Sequence, residues 1–192
     1  MKKKSLALVL ALALMVVGAV GGTLAWLTAK SDVVTNTFTT SDIKVELKET
    51  KGETAADGKT FKMIPGYTIE KDPTAKVLAG SEECYLFVKL EKAGNFDTYL
   101  EYTIADDWTQ LTGEGIPDAV YYRTVKGNQI GEAYSVLKDN QVTVKDSVTK
   151  DQMNALTSAN FPKLTITAYA SQLHKSADEE FKPAEAWANV NP

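Results

Sequence analysis

The sequence predicts an all-β domain, an antiparallel jelly-roll-like sandwich with one or two short helices, preceded by an N-terminal signal peptide. Three observations predict it. Short runs of alternating apolar and polar residues recur along the chain, Gly, Pro and Asp-Gly turn signals separate them, and no regular strand–helix–strand alternation accompanies them. With 192 residues and 44% apolar content the chain is long enough to bury a real core.

The first element is the signal. Lys2, Lys3 and Lys4 form a positive n-region, and Leu6–Val20 form an apolar h-region of the length a secretory signal uses. Small residues then lead to Thr23-Leu24-Ala25, an A-x-A-like site, so the expected cut falls between Ala25 and Trp26. The apolar run is shorter than the roughly 20 residues that span a bilayer. No charge occurs between Lys4 and Lys30, so an uncleaved anchor reaching Leu27 is the alternative reading. Cleavage divides the chain into residues 1–25, the signal peptide, and 26–192, a single sandwich domain, with 26–42 as a mobile or exchanged N-terminal strand. It leaves 167 residues and removes three lysines and no acid, taking the formal charge from −4 to −7.

The strands follow in order. Ile43–Lys48 alternates apolar and charged residues, as a strand with one buried face should. Gly52–Lys59 reads as a polar loop with Asp57-Gly58 as its turn, and Phe61–Ile64 as a short strand ending at Pro65-Gly66. In Tyr85–Leu90, the strongest strand, Leu86, Val88 and Leu90 face one way and Tyr85 and Phe87 the other. Asn95–Leu100 suits a helical turn before Glu101–Ile104. Trp108–Leu111 and Ala119–Val125 flank a longer hairpin loop, and Lys126-Gly127-Asn128 is a turn. Gln141–Lys145 alternates again. Thr149 with Gln152 fits a capping box that turns Met153 and Leu156 inward. Leu164–Ala170 is a long strand, with Leu164, Ile166 and Ala168 on one side. Pro183–Val190 reads as a terminal helix with proline in its first turn.

Composition excludes several functions. Arg123 is the only arginine, and an acidic surface without arginine argues against nucleic acid and anionic lipid as partners. Cys84 is the only cysteine, so no intrachain disulfide forms; its setting, Glu83–Lys89, reads as a buried strand. The tyrosines 67, 85, 99, 102, 121, 122 and 169, with Trp108 and Trp187, read as core and sheet-face packing rather than as a carbohydrate platform.

Gly21-Gly22-Thr23-Leu24-Ala25-Trp26-Leu27, then Asn36-Thr37-Phe38 and the alternating strand Ile43–Leu47, resemble the TasA/camelysin family of Gram-positive exported proteins. Pro65–Thr74 and Cys84–Lys89 are similar to the family's "PG…KDP" turn and following strand. Trp108, Val120-Tyr121-Tyr122, Thr167–Ala170 and Glu185-Ala186-Trp187 continue the similarity over most of the chain. The departure is at Leu24–Leu27, where an aromatic pair after alanine is the more familiar pattern. The resemblance implies a jelly-roll domain, a signal cut by a SipW-type signal peptidase, and secretion to the extracellular matrix or cell surface. The family's best-known members form biofilm-matrix fibres, and a co-assembling matrix protein is a further implied partner.

A physical case for assembly stands beside the resemblance. Within Val33, Val34, Thr35, Asn36, Thr37, Phe38, Thr39 and Thr40, six residues are β-branched and none is charged, Gly or Pro. At a freed terminus such a segment pairs within its own sheet or completes a neighbour's, and repeating the second arrangement head to tail gives an open filament. Asp32 and Asp42 bracket it as gatekeepers.

Camelysin-type relatives raise the question of a secreted metallopeptidase. The zincin pattern H-E-x-x-H needs two histidines, and the chain has only His174, in a polar stretch with Glu179 and Glu180. No G-x-S-x-G elbow occurs, and Asp106-Asp107 and Glu179-Glu180 read as solvated turns rather than acid/base pairs. The expectation is a self-associating structural protein with no catalytic residue, metal or cofactor. A monomeric cell-surface binding or adhesion module is the alternative, and a protease comes third.

Overall fold

The computed structural model describes residues 42–55 and 58–190. The signal peptide, the expected cut at Ala25 and Trp26, and the run Val33–Thr40 lie outside the described residues. Within them the chain is an antiparallel all-β sandwich. The strands are β1 (Val45–Lys48), β2 (Glu53–Ala55), β3 (Gly58–Thr60), β4 (Thr68–Glu70), β5 (Thr74–Val77) and β6 (Cys84–Ala93). Helix α1 (Phe96–Tyr99) follows, then β7 (Leu100–Glu101), β8 (Thr109–Gln110), β9 (Val120–Val125), β10 (Ala133–Ser135) and β11 (Gln141–Val144). The chain continues with α2 (Lys150–Asn154), β12 (Lys163–Gln172), β13 (His174–Ser176), β14 (Glu179–Glu180) and α3 (Pro183–Val190). Among the described residues no helix is long and apolar enough to cross a membrane.

The first layer joins two three-stranded sheets, β1-β5-β10 and β4-β11-β7, so that β4 and β5 follow one another in one lane and β10 and β11 in another. The middle lanes are each interrupted and stay joined across the break. Lys71 N–H donates to the Asn140 carbonyl at 2.8 Å and Val136 N–H to that of Pro73 at 2.9 Å. Pro73 has no N–H to offer the ladder, and Asp139 and Asn140 take left-handed conformations (φ 54° and 55°), which Asp and Asn tolerate best among ordinary residues. The second layer is the sheet β12-β6-β9-β8. Connections β5–β6, β6–β7, β7–β8, β9–β10 and β11–β12 each cross from one layer to the other, which is the jelly-roll manner of winding.

The alternation along β6 decides which core each side chain enters. Cys84, Leu86, Val88 and Leu90 lie between the sheets with Ala75, Val77, Val136, Leu137 and Val144. Tyr85 and Phe87 point to the other face and pack with Val120, Leu173, Ala186 and Trp187 under α3. On β12, Leu164, Ile166, Ala168 and Ala170 face the first core and Tyr169 the second, as the period-2 reading requires. The predicted capping box forms: Gln152 N–H donates to Thr149 Oγ1 at 3.2 Å and Thr149 N–H to Gln152 Oε1 at 2.8 Å. Residues 183–190 form the helix that the sequence predicts.

Three expectations are corrected. Gly52–Lys59 is not a plain loop: β2 and β3 pair as a small ribbon, Glu53 opposite Thr60. Apart from Ala55 and Gly58 their residues are polar, so they carry no alternation to read. Phe61–Ile64 forms no strand; Phe61 lies beneath the Lys71 ammonium, 5.2 Å from ring centroid to Nζ, and the strand begins at Thr68 instead. Tyr67 is no core residue, being 64% exposed. Its neighbour Gly66 sits at φ +78°, with Tyr67 N–H donating to the Ile64 carbonyl at 3.0 Å. That is the third position of a type II turn, which a side chain would strain.

Strand polarity gives the sandwich two distinct ends. Val45 pairs with Val77, and Cys84 with both Val125 and Gln172, so residue 42 and the tip of β12 share one end. Ala93 pairs with Lys163, and Thr143 with Thr68 and Glu101, so the start of β12 and the Ile64–Tyr67 turn share the other.

Candidate assembly edge

Ten residues, Lys163–Gln172, pair in unbroken register with β6, and among the described residues β6 is the sole strand neighbour of β12. Among the described residues the other margin of β12 has no strand paired to it. Edges are normally blunted by shortness, charge, proline or a bulge. The remaining edges here follow that rule: β7 and β8 have two residues each, and β1 carries Glu46 and Lys48. β12 does not. From Leu164 to Ser171 it holds no charge, no Gly and no Pro, and no bulge interrupts it. β1 comes close to β12 but is not hydrogen-bonded to it, the two lying in different sheets.

The end at which residue 42 lies is polar and held by specific contacts. Lys44 N–H donates to Ser81 Oγ at 3.0 Å, and the Lys44 carbonyl accepts from Leu78 N–H at 2.8 Å. Glu83 accepts from Gly127 N–H at 2.8 Å and lies 3.3 Å from His174 Nε2, while Lys126 reaches Glu180 at 3.1 Å. The Gly127 amide, then His174, hold the Glu83 carboxyl below the usual carboxylate range. A group depressed in the fold adds stability above its unfolded pKa, about 4.3, and loses it as pH falls through the folded value. Glu83→Gln is therefore expected to flatten the fall in urea midpoint between pH 6 and pH 3.

Sequence-predicted site residues are placed as follows. Cys84 is fully buried, and burial pushes its thiol up to about 11. It is expected to react with iodoacetamide only after denaturation, read by mass spectrometry. His174 is exposed on β13, and Glu179 and Glu180 turn to Lys175 and Lys126 rather than to it. Among the described residues no group of three His, Cys, Asp or Glu side chains could hold a metal ion. Asp106 and Asp107 lie in a turn and pair with Lys138 and Arg123 respectively.

Sequence reasoning missed a cross-sheet clamp. Arg123 points inward from β9, with its guanidinium carbon 3.4 Å from the ring centroid of Tyr134 on the opposite sheet and 5.8 Å from that of Trp108. It pairs with Asp107, and Trp108 Nε1–H donates to the Ser135 carbonyl at 2.8 Å. A planar cation stacked between rings is worth up to about 2 kcal/mol when desolvated, and lysine cannot reproduce the stacking. Arg123→Lys is expected to cost about 1–2 kcal/mol in chemical denaturation. It also missed the receptive edge, although the run 164–171 shares the absence of charge seen in Val33–Thr40.

Comparison of the chain with protein-family models, curated proteins and solved structures gives no match.

Proposed function

We propose that this chain is an exported structural protein that self-assembles into extracellular-matrix or cell-surface fibres by β-strand exchange. Once the signal is removed, Val33–Thr40 of one copy adds to the β12 margin of the next. The observation that carries the reading is that margin: among the described residues no strand pairs with it, and from Leu164 to Ser171 it has no charge or proline to discourage one.

Polarity supports it. β12 runs towards the end at which residue 42 lies. A segment reaching from that end into the opposite end of a neighbour therefore runs antiparallel to the neighbour's β12. Folded back along its own β12, the same segment would run parallel. Antiparallel pairs are slightly more stable per residue, so exchange is favoured over self-closure at this edge. The link is heterologous, and its repetition leaves every filament with one free segment and one free edge. The resemblance to the TasA/camelysin family and the acidic, arginine-poor surface support the same reading. On it the chain is non-enzymatic, and its partners are other copies, a SipW-type signal peptidase and a co-assembling matrix protein. Negative-stain electron microscopy of chains beginning at Trp26 and after Thr40 tests it.

A further inference from the structure

Among the described residues, Ile64 (53%), Tyr67 (64%) and Phe161 (49%) are the large apolar side chains most exposed to solvent. They come from two distant stretches of chain, yet all belong to one end of the sandwich. Ile64 and Tyr67 form the turn leading into β4, tied to the end of β11 by Gly66 N–H donating to the Val144 carbonyl at 3.0 Å and Val144 N–H to that of Tyr67 at 2.9 Å. Phe161 stands two residues before β12, whose first residue pairs with Ala93. Beside the turn lies an open polar cleft of about 450 Å³ lined by Gly66, Glu101, Thr143, Lys145, Asp146 and Ser147. Residue 42 lies at the other end, where Asp42 pairs with Lys44 at 3.3 Å and Lys44 N–H donates to Ser81 Oγ.

We infer that Ile64, Tyr67 and Phe161 are the docking surface on which the N-terminal segment of a second copy lands before it pairs along β12. This rests on the strand-exchange reading and adds the direction and entry point of assembly. A segment leaving the end at residue 42 meets the opposite end of the next copy first. Phe161 stands at the mouth of the β12 margin, and Ile64 and Tyr67 lie at that same end. The arriving run offers apolar Val33, Val34 and Phe38 together with Thr35, Asn36, Thr37, Thr39 and Thr40, a mixture suited to apolar side chains beside a polar cleft. Scattered exposed apolar residues are ordinary on a protein surface. Here their confinement to the receiving end, opposite the donating one, assigns them an occupant.

The test uses the mature chain beginning at Trp26 and carrying Ile64→Ser, Tyr67→Ser and Phe161→Ser. Because these side chains are about half exposed or more, its circular dichroism and thermal midpoint should match the parent's. It is expected to elongate at least about tenfold more slowly than the parent. Mixed at low ratio with unaltered chains it should slow growth out of proportion to its share, because it still donates a segment and receives one only slowly. Should the triple variant lose its fold, Tyr67→Ser alone, at the most exposed of the three, is expected to slow elongation about threefold. Elongation at the parental rate by the folded triple variant, or by Tyr67→Ser when the triple variant misfolds, overturns the docking surface. If the chain beginning after Thr40 meanwhile forms no filaments, strand exchange survives that failure. If that shortened chain also forms filaments, strand exchange itself has failed.

Discussion

A chain that begins after Thr40 is expected to form no filaments under conditions in which the chain beginning at Trp26 does, while keeping the same fold. The effect is all or none because the proposed contact is a shared strand. Eight residues that pair with β12 would satisfy backbone groups at an uncharged edge, and their removal leaves every copy able to receive and unable to donate. The fold is expected to survive because the described sheets, cores and α3 are drawn from residue 43 onward. Circular dichroism and the urea midpoint check the fold, and electron microscopy checks the filaments. The shortened chain should also stop growth of unaltered filaments at the end opposite to that slowed by the docking-surface variant.

The second large effect concerns stability. Phe87 is fully buried on the outer face of the second layer, with ring centroids 5.4 Å from Trp187, 6.1 Å from Tyr85 and 6.2 Å from Tyr122. Trp187 in turn meets Tyr169 edge to face at 5.2 Å, so Phe87 sits between the sheet and α3. Phe87→Ala removes the ring at the centre of this smaller core. The hole is walled by large aromatic side chains with little room to collapse, and such truncations cost about 3–5 kcal/mol. Against a domain stability of about 5–15 kcal/mol that is a large fraction. Chemical denaturation should show the loss, and limited proteolysis should find α3 cut before the sheets. A loss under about 1 kcal/mol would mean that the outer face contributes little to the fold.

Much of this architecture was legible in the sequence because its strongest elements are locally consistent. β6 and β12 alternate with period 2, and each side chain lies on the face that its position predicts. Thr149 and Gln152 satisfy each other's backbone amides within four residues, so the capping box needs no tertiary information. Pro183 marks the start of α3 for the same local reason. The misses share the opposite character. The β2–β3 ribbon is mostly polar and held mainly by backbone bonds, which no side-chain pattern reports. Phe61–Ile64 has strand-like composition, but Phe61 finds Lys71 rather than a sheet. Arg123 is 15 residues from Trp108 and 11 from Tyr134, and nothing in the sequence between them signals that the three meet across the sandwich. The receptive edge of β12 is a property of strand order. Its composition was visible, and the vacancy beside it among the described strands was not.

The central claim is that the segment of one copy lies antiparallel on the β12 margin of another, and cysteine cross-linking tests it most directly. Chains bearing Thr37→Cys or Thr39→Cys are mixed with chains bearing Thr165→Cys, assembled and oxidised, with the buried Cys84 silent in both. The account predicts disulfide-linked dimers joining the two kinds of chain, appearing only as filaments form. Filaments that assemble without such a bond would contradict it.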